Sequence, residues 1–204
     1  MSHLEVPARA TLASVLVAVA LVASVTANAK WSRADADAFL SKMVQIATHG
    51  LIEKKRPAKR TTLLERELNA YIAVHGRSEL PAGVVDPVIS ILPDGRLTGR
   101  AIVDLDAVRT SEERGMLSPW TLLRGQVPVE AIGFLRTQKG VGAFTLESAS
   151  VGGVPVPKAI LQELVTYYSR SESQPKGINI EAPFRLPAEI LEIRTAQGQA
   201  LVVQ

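Results

Sequence analysis

The sequence predicts an α+β fold: a bent antiparallel sheet of hairpins packed with two or three amphipathic helices, after an N-terminal signal or anchor helix. Three observations carry that expectation. Glycine-centred turns at 93–95, 139–140 and 197–198 each separate two runs rich in β-branched and aliphatic residues, the pattern of hairpins. Between the hairpins and ahead of them lie segments whose apolar residues recur every three or four positions, the period of a helix with one buried face. Finally, the chain opens on a long uninterrupted apolar run.

That run spans residues 10–25 and contains only Ala, Val, Leu, Ser and Thr. Small residues at Ala27 and Ala29 follow it, an A-x-A cleavage pattern that would make Lys30 the new N-terminus. Its length suits a signal-peptide core and is short for a spanning helix, which needs roughly 20 apolar residues. Against a signal stands Glu5, which cancels the charge of Arg9. Cleaved signal and uncleaved anchor both place the rest of the chain outside the cytoplasm, in the periplasm or an equivalent compartment. Three regions result: 1–29 as signal or anchor, 30–60 as a helix and basic linker, and 61–204 as one α+β domain.

Residues 31–49 read as a helix with Ser32 as cap and Asp35 and Asp37 near its positive end. Phe39, Met43 and Ile46 form its expected apolar face, and Gly50 is the expected stop. Lys54, Lys55, Arg56, Lys59 and Arg60 then make a basic run broken by Pro57. A solvated linker is the plain reading. The sharper one is contact with anionic lipid headgroups, where each cation near the surface is worth about 1 kcal/mol. Thr62-Leu63-Leu64-Glu65 has the form of a capping box. The helix it is expected to open carries Leu64, Leu68, Tyr71 and Ile72 on one face, and its mid-helix Asn69 is a candidate for a specific hydrogen bond.

The hairpins are expected at 84–92 with 96–106, 127–138 with 141–151, and 190–196 with 199–204. Offsets of 43 and 58 residues superpose parts of them, which suggests an internal repeat built as one long meander. Alternation puts Leu97, Gly99, Ala101, Val103 and Leu105 on one face of the sheet, matched by Gly142, Phe144 and Leu146 in the second hairpin. Gly99 and Gly142 fall at equivalent places, where a strand can bend or admit a close neighbour. A helix over 157–169 starts at a proline and presents Ile160, Leu161, Leu164, Val165 and Tyr168.

Composition removes several function classes. The chain has no cysteine, so disulfide scaffolds, Cys-ligated metals and thiol catalysis are excluded. Its 204 residues carry a net charge of only +3, and aromatics are 4%, which argues against a nucleic-acid partner. No nucleophile elbow, phosphate loop, H-E-x-x-H or EF-hand pattern occurs. His49 and His75 sit near expected helix ends, where a cation is favoured anyway. Asp104 and Asp106 share a strand face, but two carboxylates are too few for calcium. Glu65 and Glu67 fit a first helical turn, and Trp120 fits a core position. No catalytic residue, metal or cofactor is expected.

The segment 62–72, followed by the first hairpin, resembles the opening of exported, membrane-associated domains of the LmeA-like and YpmS-like type, whose pattern is T-x-x-E-L-N-A followed by glycine-turned strands. Glu67-Leu68-Asn69 is the distinctive core of that likeness, and Gly153-Val154-Pro155-Val156-Pro157 before a helix is a second similar feature. The resemblance covers most of residues 62–204 and departs in the basic linker at 54–60. It implies a non-enzymatic domain that binds a lipid in an elongated hydrophobic groove, although no ligand residues carry over. A groove between sheet and helices would be lined by Leu64, Leu68, Ile72, Val103, Phe144, Leu146, Leu161 and Leu164, with the basic run as headgroup contact. The alternative is a scaffold module of the cell envelope that pairs with a protein partner through a sheet edge.

Overall fold

A computed structural model describes residues 31–51, 58–107, 125–168, 175–177 and 179–204, apart from the side chains at 164, 167 and 168. These residues belong to one compact unit, Trp31–Gln204. The fold is α+β: antiparallel strands in a bent arrangement with helices beside them. Helix α1 spans Arg33–Leu51, α2 Glu65–Val74 and α3 Lys158–Tyr168. Six strands, β2 (Val84–Ile91), β3 (Arg96–Asp104), β4 (Gln126–Gln138), β5 (Val141–Val151), β6 (Val154–Pro155) and β7 (Phe184–Arg185), form the larger sheet. A smaller sheet holds β1 (Arg60–Leu64), β8 (Glu192–Ala196) and β9 (Gln199–Val203), in the order β1-β9-β8.

All three expected hairpins form, but the third does not extend the meander. β9 takes β1 as its other neighbour over five residue pairs, Arg60–Val203 to Leu64–Gln199. The outer edge of β5 is meanwhile occupied at its two ends by β7 and β6. A β1 strand was invisible in the sequence because Thr62-Leu63-Leu64-Glu65 reads so readily as a helix start. The helix starts later, at Glu65, and Glu67 supplies the cap: its Oε2 accepts the Leu64 N–H at 3.1 Å. The carboxylate that closes the junction is thus two positions beyond the expected one.

Helix α2 lies along the free edge of β2. Asn69, 1% exposed, accepts the Ile89 N–H at 2.7 Å and donates Nδ2 to the Ile89 carbonyl at 2.8 Å. Its amide therefore does what a neighbouring strand would do. Glu65 Oε2 accepts the next outward N–H, that of Ile91, at 2.7 Å. Residues four apart on one helix face meet donors two apart on the strand, because a helical turn and two strand residues cover similar lengths.

Helix α1 is held against α2 by apolar contact and charge. Ala36, Phe39 and Ile46 are buried, and the Phe39 and Tyr71 rings sit 5.1 Å apart. Lys42 reaches Glu67 at 2.6 Å, Arg66 reaches Asp35 at 3.2 Å, and His75 reaches Asp37 at 2.8 Å. Met43, expected on the buried face, is 41% exposed. Gly50 does not stop the helix; a Cβ there would lie 2.6 Å from the Ala188 backbone, so it serves close approach. Ile46, Ile190 and Val202 form the core beside the smaller sheet, joined by the buried Gln204 amide, which donates to the Ile46 and Ala188 carbonyls.

Replacing Asn69 by Ala should cost about 2 kcal/mol, since two backbone groups of Ile89 lose their partners. Urea unfolding of the variant measures this. A loss below about 0.5 kcal/mol would show that water replaces the amide at that edge.

Candidate functional site

One face of the larger sheet is almost wholly apolar. The register aligns Ile91, Leu97, Gly133 and Leu146 in one row across four strands, and Ile89, Gly99, Ala131 and Ala149 in the next. Ala101, Val129 and Val151 follow, then Val103 with Val127. Leu135 and Phe144 extend the face at the other end. A bulge makes this possible. Glu147 is an extra residue in β5 between the pairs Leu146–Gly133 and Ser148–Ile132. Without it, Leu146 and Ala149, an odd number of positions apart, would point to opposite faces. Of this face only Ile91 and Ala149 are buried among the residues with side chains; the others are half-buried.

Glycines shape the face in two ways. At Gly133 a Cβ would clash with the Phe144 ring, and at Gly142 it would meet the Phe184 ring at 2.7 Å. Each ring lies across a notch left by the missing side chain. Gly99 was expected to match Gly142, yet a Cβ there would have nothing within 4 Å. The opening between Ile89 and Ala131 is therefore unfilled.

The predicted groove residues divide into two groups. Leu64, Leu68 and Ile72 belong to the α2 region, which follows the β2 edge; Leu161 belongs to α3, which sits by β5. Three strand spacings, roughly 14 Å, separate those strands. The two helices thus stand at different edges of the sheet, α2 hydrogen-bonded along β2 and α3 beside β5. Val103, Phe144 and Leu146 do share the apolar face. The Leu164 side chain, together with Lys54, Lys55, Arg56 and Trp120, lies outside the described residues. Lys59 pairs its backbone with Gln204, and Arg60 opens β1 with its side chain exposed.

Two of the open depressions among the described residues bear on function. One, of ≈360 Å³, is lined by the apolar Leu146, Ala159 and Ile180 together with Lys158, Gln162, Asn179 and Glu181. It lies where α3 meets the apolar face. Lys158 and Glu181 are ion-paired, and Gln162 accepts the Ile180 N–H at 2.9 Å. None of the described α3 side chains is buried, and Ile160 is 38% exposed. The other depression, of ≈350 Å³, lies mainly on the opposite sheet face, among Asp86, Arg100, Ile102, Pro128, Glu130 and Ser150. Arg100 and Glu130 pair at 3.0 Å on that face.

Polar residues that were candidates for chemistry are engaged structurally. Asp104 Oδ1 accepts the Asp106 and Ala107 N–H groups, and Asp106 Oδ2 accepts that of Gly125, so these carboxylates tie off the end of β3. Glu65 and Glu67 serve the β2 edge and the α2 start, and His75 bonds Asp37. The resolved pKa shifts among the described residues belong to one exposed pair on β8. The hydrogen bond from Arg194 holds the Glu192 carboxyl below its ordinary value, and Glu192 in turn raises Arg194. Among the described residues no cluster of three His, Asp or Glu could hold a metal ion, and no helix is long and apolar enough to cross a membrane. Lys158, Gln162, Asn179 and Glu181 were not legible as a group, since they converge from two segments about 20 residues apart in the chain.

Comparison with protein-family models, curated proteins and solved structures gives no match for this chain.

The space at Gly99 and the crowding at Gly133 make opposite expectations for one chemical change. Gly99→Ala should leave thermal stability within about 0.5 kcal/mol. Gly133→Ala should lower it by about 1–3 kcal/mol, because Phe144 and the Thr145 carbonyl must move. Equal melting temperatures for the two variants would refute the open notch.

Proposed function

We propose that the protein is an exported, membrane-associated, non-enzymatic domain of the cell envelope that binds a lipid or similar amphiphile where α3 stands off the apolar face of the larger sheet. The observation that carries this reading is the ≈360 Å³ depression between Leu146 and the α3 residues Ala159 and Gln162. Small-ligand sites run from roughly 300 to 1,000 Å³, so the space admits part of an acyl chain. Apolar area there is worth roughly 25 cal/mol per Å² covered. The Lys158–Glu181 pair and Asn179 give the rim polar partners for a headgroup. The likeness to the LmeA-like and YpmS-like domains supports the same class, and the structural duties of Asp104, Asp106, Glu65, Glu67 and His75 favour binding over catalysis. Location outside the cytoplasm is inferred from the apolar run at 10–25 and the A-x-A pattern after it.

A second reading is favoured by a specific feature of β5. β7 pairs with its residues 141–142 and β6 with its residues 150–151, on the edge away from β4. The interval between these clips is long enough for a short strand from a protein partner.

Native mass spectrometry of the full chain isolated without harsh detergent should show a bound lipid. Ala159→Trp, which fills the depression from an exposed position, should reduce retained lipid at least about tenfold with unchanged circular dichroism. Undiminished lipid in a folded Ala159→Trp variant would overturn the lipid site. In the same spectra a mature N-terminus at Lys30 is expected, and an intact mass including Met1 would mean an uncleaved anchor.

A further inference from the structure

Two sheet edges are covered by side chains that imitate a strand. Asn69 gives both a donor and an acceptor to Ile89 on the β2 edge. Thr137 does the same for β8: its Oγ1 accepts the Ile193 N–H at 2.7 Å and donates to the Ile193 carbonyl at 3.0 Å. The outer edge of β5 has no such cover along its middle. The Gly140 carbonyl accepts the Leu186 N–H on that side, so alternation turns the N–H and C=O of Gly142, Phe144 and Leu146 the same way. Those of Gly142 face Phe184 in β7. Those of Phe144 and Leu146 have no partner among the described residues.

Prolines keep this interval open. Pro183 stands next to β7 on the side facing it. At the other end the Val156 N–H bonds the Ala149 carbonyl, and Pro157 comes next. Neither proline can donate to the edge, so neither β7 nor β6 extends toward the other. The gap from Gly142 to Ala149, less the bulge residue Glu147, is about 20 Å, room for about five residues of extended chain. Thr145, Glu147 and Ser148 within it are exposed, and the ≈360 Å³ depression lies against Leu146.

We infer that this interval takes a short extended segment of a protein partner, antiparallel to β5, with an aliphatic side chain seated in the depression beside Leu146. The segment would continue the column that β6 and β7 already form, and both of these are antiparallel to β5. A polypeptide backbone offers paired donors and acceptors about 7 Å apart, the repeat of Phe144 and Leu146. The residue opposite Leu146 shares its sheet face and falls between it and Ala159 and Ile180, which line the same depression. The residue opposite Thr145 points to the other face. A second copy of the chain does not fit, since its own β5 is 11 residues long and carries the same β6 and β7. The inference rests on the second reading above and adds to it the side chain that is recognised. An amphiphile would compete for the same space.

Two synthetic peptides serve as probes on the full-length protein: acetyl-Thr-Val-Thr-Val-Thr-amide, and acetyl-pentathreonine amide, in which hydroxyls replace methyl groups at constant shape. The protein itself is unchanged, so its folding does not enter. Amide-resolved hydrogen exchange should be fast at Phe144 and Leu146 in the free protein and at least about tenfold slower with the valine peptide at saturation. The valine peptide should bind at least about tenfold more tightly than pentathreonine. Methylating its two valine nitrogens, which face β5 in antiparallel pairing, should abolish the protection; methylating the central threonine nitrogen, which faces away, should not. Equal affinity of the two peptides, with both amides protected, would overturn the aliphatic seat and leave a strand at the edge. Slow exchange in the free protein, or protection by neither peptide, would overturn the inference together with the second reading. Equal effects of the two methylations would overturn the pairing at Phe144 and Leu146.

Discussion

The arrangement depends on one amide. Asn69 offers the β2 edge a donor and an acceptor at the spacing of a strand backbone, from the middle of a helix. An open edge is a liability, because its unpaired N–H and C=O groups invite another chain. Here the edge is closed by side chains, with Asn69 and Glu65 on successive turns of α2. The same helix turns its other polar residues outward to α1, where Glu67 takes Lys42 and Arg66 takes Asp35. One short helix thus joins the larger sheet to the first helix. Within it Glu67 and Asn69 both act through hydrogen bonds, Glu67 to the Leu64 N–H and Lys42, Asn69 to Ile89.

Much of the fold was legible because turn chemistry is local. Pro93-Asp94-Gly95, Lys139-Gly140 and Gln197-Gly198 place the glycines at positive φ, and strand boundaries follow within two residues. What escaped was non-local. Nothing near Arg60–Leu64 announces that its partner is Gln199–Val203, and the Thr-Leu-Leu-Glu string points to a different structure. The β5 bulge was legible in principle: Phe144, Leu146, Ala149 and Val151 are spaced by two, three and two, and the odd step marks the extra residue. The candidate site was read less well than the fold. Periodicity identified which side chains are apolar, but not that α2 bonds the β2 edge while α3 sits by β5, a pairing set by partners far apart in the chain.

Aromatic rings set the relief of the apolar face. Phe144 and Phe184 lie over Gly133 and Gly142, converting two absences of side chain into packed surface. Gly99 has no such ring. The difference lies in the neighbouring strand: β5 supplies Phe144 and β7 supplies Phe184, whereas the residues opposite Gly99 are Ile89 and Ala131. Glycines that look equivalent along the sequence therefore do opposite things.

The buried Gln204 side chain binds the carbonyl of Ile46, a residue 158 positions earlier. Gly50 presses on Ala188, and β1 pairs with β9. Every one of these closures joins the first third of the domain to its last segment. A growing chain can assemble the two central hairpins as they emerge, since their partners are adjacent. It can already bring α1 against α2, but it cannot pair β1 or close the Ile46 end of α1 until residues 188–204 have emerged.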